Sequence, residues 1–377
     1  ALKSVFQQRS HASSSLMSGG LFSFGSGASS TISTDNSLKL SALYNGVTII
    51  SNDIALLPKA IFHKEGDQKI KLTDHPITTA ISKFASANMS SFWFHKVVVI
   101  AAILRGNGVA IINRNKQTGE IDTTNPFTFV HPNHLIDIRM VDGQLWFFTK
   151  YGTYHNSEVI HIKGFSLNGY AGDSVLKYAA TNLNAALTAE AFADKNFESK
   201  GFGLGIIKTD KQLKDTAKKA LTEGMAERLS KGNQYNVGVL DEGMDFQPIQ
   251  VSAKEAELID WKKISIEDIA RWLNIGPHKL KHLDKLNYSS IEQQSIDHVS
   301  DSIYPWVKQF ENEYDIKLIN TKDQSTDYTK FNINALLRAD IKSRAQYYNQ
   351  MRFAGILSGD EIRELEDMNP TGLEHMK

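Results

Sequence analysis

The sequence contains no cysteine, and only 8 of its 377 residues are proline. Without cysteine, disulfides, thiolate nucleophiles and Cys-ligated zinc or iron–sulfur sites are excluded. An excess of charge of one sign is also missing, because 42 Lys and Arg balance 42 Asp and Glu. Any contact with nucleic acid must therefore be local and not a property of the whole chain.

Long hydrophobic runs are missing as well, and no window approaches the roughly 18 apolar residues of a membrane span. The most apolar run, VVVIAAIL at 97–104, is short and ends at Arg105, so it predicts a buried helix. The N terminus has no basic segment followed by an apolar one, which argues against a secretory signal. A hydrophobic share of 41% allows a sizeable core, and the length predicts two or three structural units.

Motifs of common enzymes are absent. The sequence has no HExxH, no GxSxG elbow and no GxxxxGK[ST] phosphate loop. The glycines of GFGLG at 201–205 follow a predicted helix instead of opening one, so they indicate helix termination and not a dinucleotide site. His131 and His134 flank Pro132 in a predicted turn. We predict no catalytic, cofactor-binding or metal-binding residues.

The first half of the chain predicts a tail followed by an α+β region. Residues 1–37 are rich in Ser and Gly, and such a segment buries too little surface to offset its ordering entropy, which predicts disorder. An amphipathic helix is predicted from Leu38 to Pro58. Five short β-branched or aromatic runs then lie between 108 and 163, separated by turn signals. This pattern predicts an α+β fold and not a regular βαβ repeat.

The second half is dominated by long helices. One is predicted over 174–200 and another from Ser252, and the two bracket a small α/β insert. A third helix begins near Ser290 and contains Pro305, which should kink it because proline lacks a donor and clashes one turn back. Helical spacing places five apolar residues of this helix on one face: Ile296, Val299, Ile303, Phe310 and Tyr314.

The loop between the second and third helices is basic, with only Asp284 to offset its charge. Its candidate ligands for a polyanion are His278, Lys279, Lys281, His282 and Lys285, with Asn287 and Tyr288 as hydrogen-bonding or stacking side chains. On spacing alone, an ordinary solvated loop explains the same residues. One chain offers too few phosphate contacts for firm binding, but a closed oligomer would repeat the loop around a central hole.

Several stretches in the same order resemble the portal proteins of long-tailed bacteriophages. The most specific is SSIEQQS (289–295), and the others include SALYNGVTIISNDIALLPKAIF (41–62), EVIHIKGFSLNGYAGDSVLKYA (158–179) and IARWLNIGPHKL (269–280). The similarity runs from about Leu38 to Met368. Val175 stands where the family pattern leads us to expect proline, and Gly108 where alanine is more usual.

The resemblance implies a portal fold that divides the chain into consecutive parts. Its expected layout is the tail (1–37), an α+β wing (38–173), a first stem helix (174–200), a small α/β clip (201–252), a second stem helix (253–275), a tunnel loop (276–289), a kinked long helix with a wing strand (290–332) and C-terminal wing and crown helices (333–377).

The resemblance also implies a function. Members form a ring, expected here to be a dodecamer, at one capsid vertex, where double-stranded DNA passes without sequence readout during packaging and ejection. The expected partners are the terminase large subunit, the major capsid protein and head–tail connector proteins, with no membrane, cofactor or catalysis. The expected location is the virion, and the host cytoplasm during assembly. Two alternatives stay open, a nucleic-acid-processing enzyme with an unrecognised acidic site and a structural adaptor without DNA contact.

Overall fold

The computed structural model describes most of the chain between residues 33 and 371. The described residues are 33–115, 117–198, 205–209, 216, 219, 244–248, 265–281, 289–320, 322–337, 341–366, 368–369 and 371. Within residues 201–252, where the sequence predicts the α/β insert, they comprise two short strands and two isolated helical positions. The predicted start of the second long helix at Ser252 lies outside the described residues.

Ten α-helices lie in the described part of the chain, and their ends follow local capping rules. The Ser90 hydroxyl accepts from the Trp93 N–H to open one helix, and Ser358 with Glu361 forms the capping box of another. The helices are α1 (Thr34–Ser37), α2 (Ser41–Leu56), α3 (Pro76–Ser82), α4 (Ser91–Arg105), α5 (Val175–Glu198), α6 (described over 265–273), α7 (Ser289–Asp297), α8 (Tyr304–Lys317), α9 (Ile341–Phe353) and α10 (Gly359–Leu365).

The described strands form small antiparallel sheets, as the predicted α+β class requires. They are β1 (Lys59–Glu65), β2 (Gln68–Leu72), β3 (Phe84–Ser86), β4 (Met89–Ser90), β5 (Asn107–Ile112), β6 (Phe127–Val130), β7 (Leu135–Val141), β8 (Gln144–Thr149), β9 (Gly152–His155), β10 (Val159–Lys163), β11 (Gly205–Thr209), β12 (Met244–Pro248) and β13 (Asp327–Phe331). Three sheets have the orders β13-β1-β2, β10-β5-β6 and β7-β8-β9, and β3-β4 and β11-β12 are pairs.

The sheet β13-β1-β2 joins distant parts of the chain. Lys59 of β1 lies opposite Phe331 of β13, and the pairing continues to His63 and Asp327. The His63 Nδ1 and an Asp327 carboxylate oxygen lie 2.5 Å apart at the end of this register. Because β13 follows α8 directly, this pairing holds α8 against the N-terminal half of the chain.

The main hydrophobic core is formed where α2, α4 and α8 meet. Helix α4 contains the predicted buried run, and its Val98, Val99 and Ala102 are completely inaccessible. Phe310 and Tyr314 of α8 are equally buried. The apolar run at 97–104 therefore forms a core helix, and none of the described helices combines the length and apolar character of a membrane span.

A neutral polar network crosses this core. The His95 Nδ1–H donates to the Ser91 carbonyl oxygen over 2.7 Å, and the Tyr314 hydroxyl donates to His95 Nε2 over 2.8 Å. Burial holds the pKa of His95 well below its ordinary value and raises that of Tyr314, so both groups are neutral near pH 7. The bonds between Ser91, His95 and Tyr314 thus satisfy buried polar atoms with neutral groups.

The ordered chain begins earlier than the sequence predicts. The segment 34–37, assigned to a disordered tail, forms α1, with the Ser33 hydroxyl accepting from the Asn36 N–H and with Ser37 fully buried. A polar composition predicts disorder only when local caps and tertiary packing are absent, and here both are present. Residues 1–32 lie outside the described residues.

The predicted apolar face of the third helix is correct at four positions and wrong at one. Val299, Ile303, Phe310 and Tyr314 are buried, but Ile296 is 43% exposed. A π-helical turn, His298–Ile303, lies between α7 and α8, and the Tyr304 N–H bonds five residues back to the Val299 carbonyl. The extra residue in this turn rotates α7 relative to α8, so α-helical spacing fails across it.

Lys59 should make stability depend on pH. Its ammonium donates to the Ala55 carbonyl over 3.1 Å, and burial lowers its pKa from 10.5 to about 7. Below pH 7 the charge stays buried, whereas between pH 7 and 10.5 the unfolded chain binds a proton that the folded chain does not, so stability from this group rises with pH. We expect Lys59→Met to stabilise the fold at pH 6 by on the order of 3 kcal/mol, and by little above pH 10.

Thermal unfolding of both proteins from pH 6 to 10 measures this effect. Lys64→Met is the matched control, because Lys64 lies on the same strand with an exposed side chain. Equal Tm values for Lys59→Met and the unchanged chain at pH 6 contradict the interpretation of Lys59 as a buried, destabilising charge.

Candidate nucleic-acid interface

The candidate loop begins where α6 ends. Asn274 has the left-handed φ of 53°, and the Ile275 N–H donates to the Ala270 carbonyl five residues back over 3.0 Å. This is the hydrogen bond that closes a helix whose last residue is left-handed, a position that asparagine tolerates better than most residues. The residue type at 274 therefore fixes where α6 stops and the loop starts.

A short 3-10 helix, Pro277–Leu280, follows and ends in a second left-handed residue, Lys281, with φ 63°. Pro277 occupies its first turn, where a missing N–H has no consequence. Leu280 is buried and belongs to the main core. The first part of the loop is thus folded onto the protein and carries Lys279 and Lys281 at defined positions.

This segment packs against helix α2 at Gly46. A Cβ built on Gly46 would lie well inside contact distance of Leu273 Cδ1, 3.0 Å from Ile275 Cδ1 and 3.3 Å from Leu280 Cδ2. Glycine in a helix costs about 1 kcal/mol relative to alanine. Here it lets three apolar side chains at the base of the loop pack directly on the α2 backbone.

The described cationic candidates differ in exposure. Lys281 is exposed, and Lys279 and His278 are half-buried. Neither lysine forms an ion pair with any residue in the described part of the chain. Burial, then the charges of Lys279 and His298, lower the pKa of His278, so this histidine is neutral near pH 7. His282, Lys285, Asn287 and Tyr288 lie outside the described residues, and their role stays a prediction.

The helix that leaves the loop is tied back to Asn274. Pro305 has no N–H, so the Asp301 carbonyl four residues earlier lacks its α-helical donor. The Asn274 side-chain amide donates to that carbonyl over 2.9 Å, and the Ser302 hydroxyl donates to the Asn274 carbonyl. One asparagine thus links the end of α6 to the π-helical turn between α7 and Pro305.

A second polar link joins the same turn to α2. His298 is 4% exposed, and its Nε2 lies 2.8 Å from Asp53 Oδ2. Asp53 lies two turns beyond Gly46 on α2, so α2 contacts both the start of the loop and the π-helical turn that follows α7. Sequence analysis missed Gly46, Asn274, Asp53 and His298. The available signals were a glycine inside a helical pattern and an asparagine two residues before Gly276-Pro277.

Helices α5 and α6 lie side by side in the described region. The Asn182 amide lies 3.4 Å from Asp268 Oδ2, and Leu183 and Ile269 share the main core. A largely apolar cavity of about 220 Å³ lies between the two helices, with Trp272 at its edge. Across the described residues, no three His, Asp or Glu side chains are grouped so as to hold a metal ion.

A double-mutant cycle tests the link between Asn274 and Pro305. Asn274→Gly keeps the left-handed backbone but removes the amide donor, and should lower stability by about 1 kcal/mol, or roughly 2 °C in Tm. In Pro305→Ala the new N–H can donate to the Asp301 carbonyl, so Asn274→Gly should then lower Tm by less than half as much. Equal losses of Tm in the two backgrounds would show that the amide does not replace the donor missing at Pro305.

The sequence profile described as "Phage portal protein" matches residues 41–367. The portal protein of Enterobacteria phage HK97 is 23% identical over 350 residues, which cover 90% of this chain and 81% of that protein. The probable portal protein of Streptomyces phage phiC31 is 24% identical over 359 residues, covering 90% of this chain and 77% of that protein.

Solved structures show the same fold. An HK97-family phage portal protein from Corynebacterium diphtheriae superposes with a TM-score of 0.60 at 15% identity, covering 82% of this chain and 98% of that chain. A chain from the neck of the native gene transfer agent (GTA) particle, computed with C12 symmetry, has a TM-score of 0.53 at 17% identity and covers 90% and 94%. With the profile match over residues 41–367, these likenesses lead to one conclusion: the chain belongs to the phage portal protein family.

Proposed function

We propose that this chain forms a ring, with twelve copies as the expected number, at one vertex of a capsid. Double-stranded DNA passes through the centre of the ring during packaging and ejection. The family match over residues 41–367 carries the proposal. It is supported by the C12-symmetric neck in which a chain of the same fold occurs. The role is structural, and ATP hydrolysis belongs to a separate motor.

The parts of the chain take the roles expected of the family. Residues 38–173 form the wing, 174–200 and 253–275 the stem, and 201–252 the clip, which docks the terminase large subunit and later the head–tail connector. The tunnel loop, 276–289, faces the DNA. The kinked helix and wing strand, 290–332, and the C-terminal helices, 333–377, complete wing and crown beside the major capsid protein. The protein works in the virion, and in the host cytoplasm during assembly.

The electrostatics of the loop suit a conduit. Lys279 and Lys281 carry charge that no acidic side chain in the described part of the chain offsets by pairing, whereas His278 is neutral near pH 7 because its pKa is lowered. Each copy then contributes a small attraction to phosphates, and a ring repeats it around the hole. Such a ring holds DNA centrally without gripping one sequence, because phosphate contacts carry no sequence information.

Negative-stain electron microscopy of the purified full chain tests the ring. We expect closed rings with a central hole about as wide as duplex DNA. The ring proposal fails if the chain stays monomeric at every concentration and also fails to incorporate when it is co-produced with the capsid protein.

Neutralising Lys279, Lys281 and Lys285 together to alanine should slow DNA packaging or leave it incomplete while rings still assemble, because phosphate contacts are lost from every copy. Packaging is measured as nuclease-protected DNA in capsids. Lys64, Lys69 and Lys322 changed to alanine form the matched control, since all three side chains are exposed and lie outside the loop. Unchanged packaging in the loop variant would favour an adaptor without DNA contact. Metal-dependent cleavage of DNA, abolished by one Asp or Glu change, would favour the enzyme alternative.

A further inference from the structure

The C-terminal helices α9 and α10 form a hairpin that is poorly covered by its own chain. Among the side chains described from 344 to 366, none is buried. Phe353 is 92% exposed and Ile356 is 64% exposed, and both lie at the turn of the hairpin, beside Gly355 with φ 68°. The hairpin therefore presents an apolar tip to solvent in the single chain.

The hairpin is nevertheless ordered by its own polar contacts. The Tyr348 hydroxyl donates to Glu366 Oε1 over 2.8 Å, and Arg344 Nε lies 3.4 Å from the same oxygen. At the turn, the Ile356 N–H donates to the Met351 carbonyl over 2.9 Å. These bonds fix the angle between the helices and hold the apolar tip in a preformed shape, which reduces the entropy lost on binding.

A partner that covered the apolar tip would add hydrophobic stabilisation that the single chain lacks. Helices of 13 and 7 residues are marginal without tertiary packing. Burying one Phe or Ile side chain contributes about 1.5–3 kcal/mol, and the single chain lacks most of this contribution at both Phe353 and Ile356. The ion pair that reaches the wing, Lys71 with Glu364 at 3.6 Å, joins two well-exposed side chains and contributes little.

The charge on the hairpin indicates which partner covers it. Helix α9 contains Lys342, Arg344 and Arg352 and no acidic residue, whereas α10 contains three acidic residues and one arginine, Arg363. The two faces thus have opposite sign. A uniform polyanion would be attracted by one helix and repelled by the other, but a second copy of the hairpin offers α10 to α9 of its neighbour.

We propose that the hairpin 341–366 packs against the same hairpin of the adjacent copy, with Phe353 and Ile356 in the contact. This inference rests on the proposed ring. Cyclic symmetry uses two unlike surfaces of each copy, and the basic and acidic helices supply such a pair. The contact closes around the ring, so that each hairpin is covered in the assembly.

Photo-crosslinking tests the contact directly. Phe353 is replaced by benzoylphenylalanine in the full chain, rings are isolated by size and irradiated, and crosslinked peptides are identified by mass spectrometry. We expect covalent dimers that join position 353 to residues 341–366 of a second chain. Benzoylphenylalanine at the buried Phe147 is the control and should crosslink only within one chain.

The outcomes separate this inference from the proposed function. Isolated rings that yield only crosslinks within one chain overturn the hairpin contact and leave the ring intact, as do capsids in which position 353 crosslinks to the capsid protein. Failure to obtain any ring counts against the proposed function itself.

A paired set of substitutions gives a second measure. Ile356→Ser should raise the protein concentration at which half the rings dissociate by about tenfold, equivalent to about 1.4 kcal/mol. Leu56→Ser is matched to it, because Leu56 is also 64% exposed, and it should leave the dissociation midpoint unchanged. Equal midpoints for Ile356→Ser and the unchanged chain overturn the proposal. The fold of the single chain should survive, since the side chain is exposed there.

Discussion

The contact between helix α2 and the base of the candidate loop is the constraint on which the rest of the site depends. At Gly46 the helix has no side chain, and Leu273, Ile275 and Leu280 pack against its backbone. Two turns later Asp53 contacts the buried His298 in the π-helical turn that follows α7. Helix α2 therefore fixes the base of the loop, which carries Lys279 and Lys281, relative to the turn that follows α7.

Asn274 supplies the hydrogen-bond donor that Pro305 cannot provide in the turn before α8. Pro305 deprives the Asp301 carbonyl of its helical donor, and the π-helical turn before it changes the rotation of the helix. Asn274 ends the preceding helix with its backbone and supplies the missing donor with its side chain. The residue that ends α6 thus also bonds the π-helical turn before α8, which couples α6 to the core helix α8.

The ionisable groups of the core and of the loop differ in their exposure to water. In the core, burial lowers the pKa of Lys59 to about 7 and holds the pKa of His95 well below its ordinary value, so both groups carry less charge near pH 7 than they would in water. At the loop, Lys281 stays exposed. The chain as a whole has no net charge, so the positive charge at the loop is a local feature.

Sequence alone determined the fold class, the buried helix at 97–104, most strands and the absence of common catalytic motifs. The spacing of apolar residues and the composition predict these features, because such features depend mainly on residues that are close in sequence. The order of motifs also identified the family, which the profile match confirms. The domain boundaries and the DNA-facing residues stay predictions, and four of those residues lie outside the described part of the chain.

Tertiary structure alone decided what lies between distant segments. The exposure of Ile296 follows from a π-helical turn that α-helical spacing does not register. The ordering of 34–37 depends on a cap and on the burial of Ser37. The packing of the loop base on Gly46 and the hydrogen bond from Asn274 to Asp301 join residues far apart in sequence. Such contacts form only when packing brings the segments together. The local sequence around one residue does not predict which distant residue it will contact.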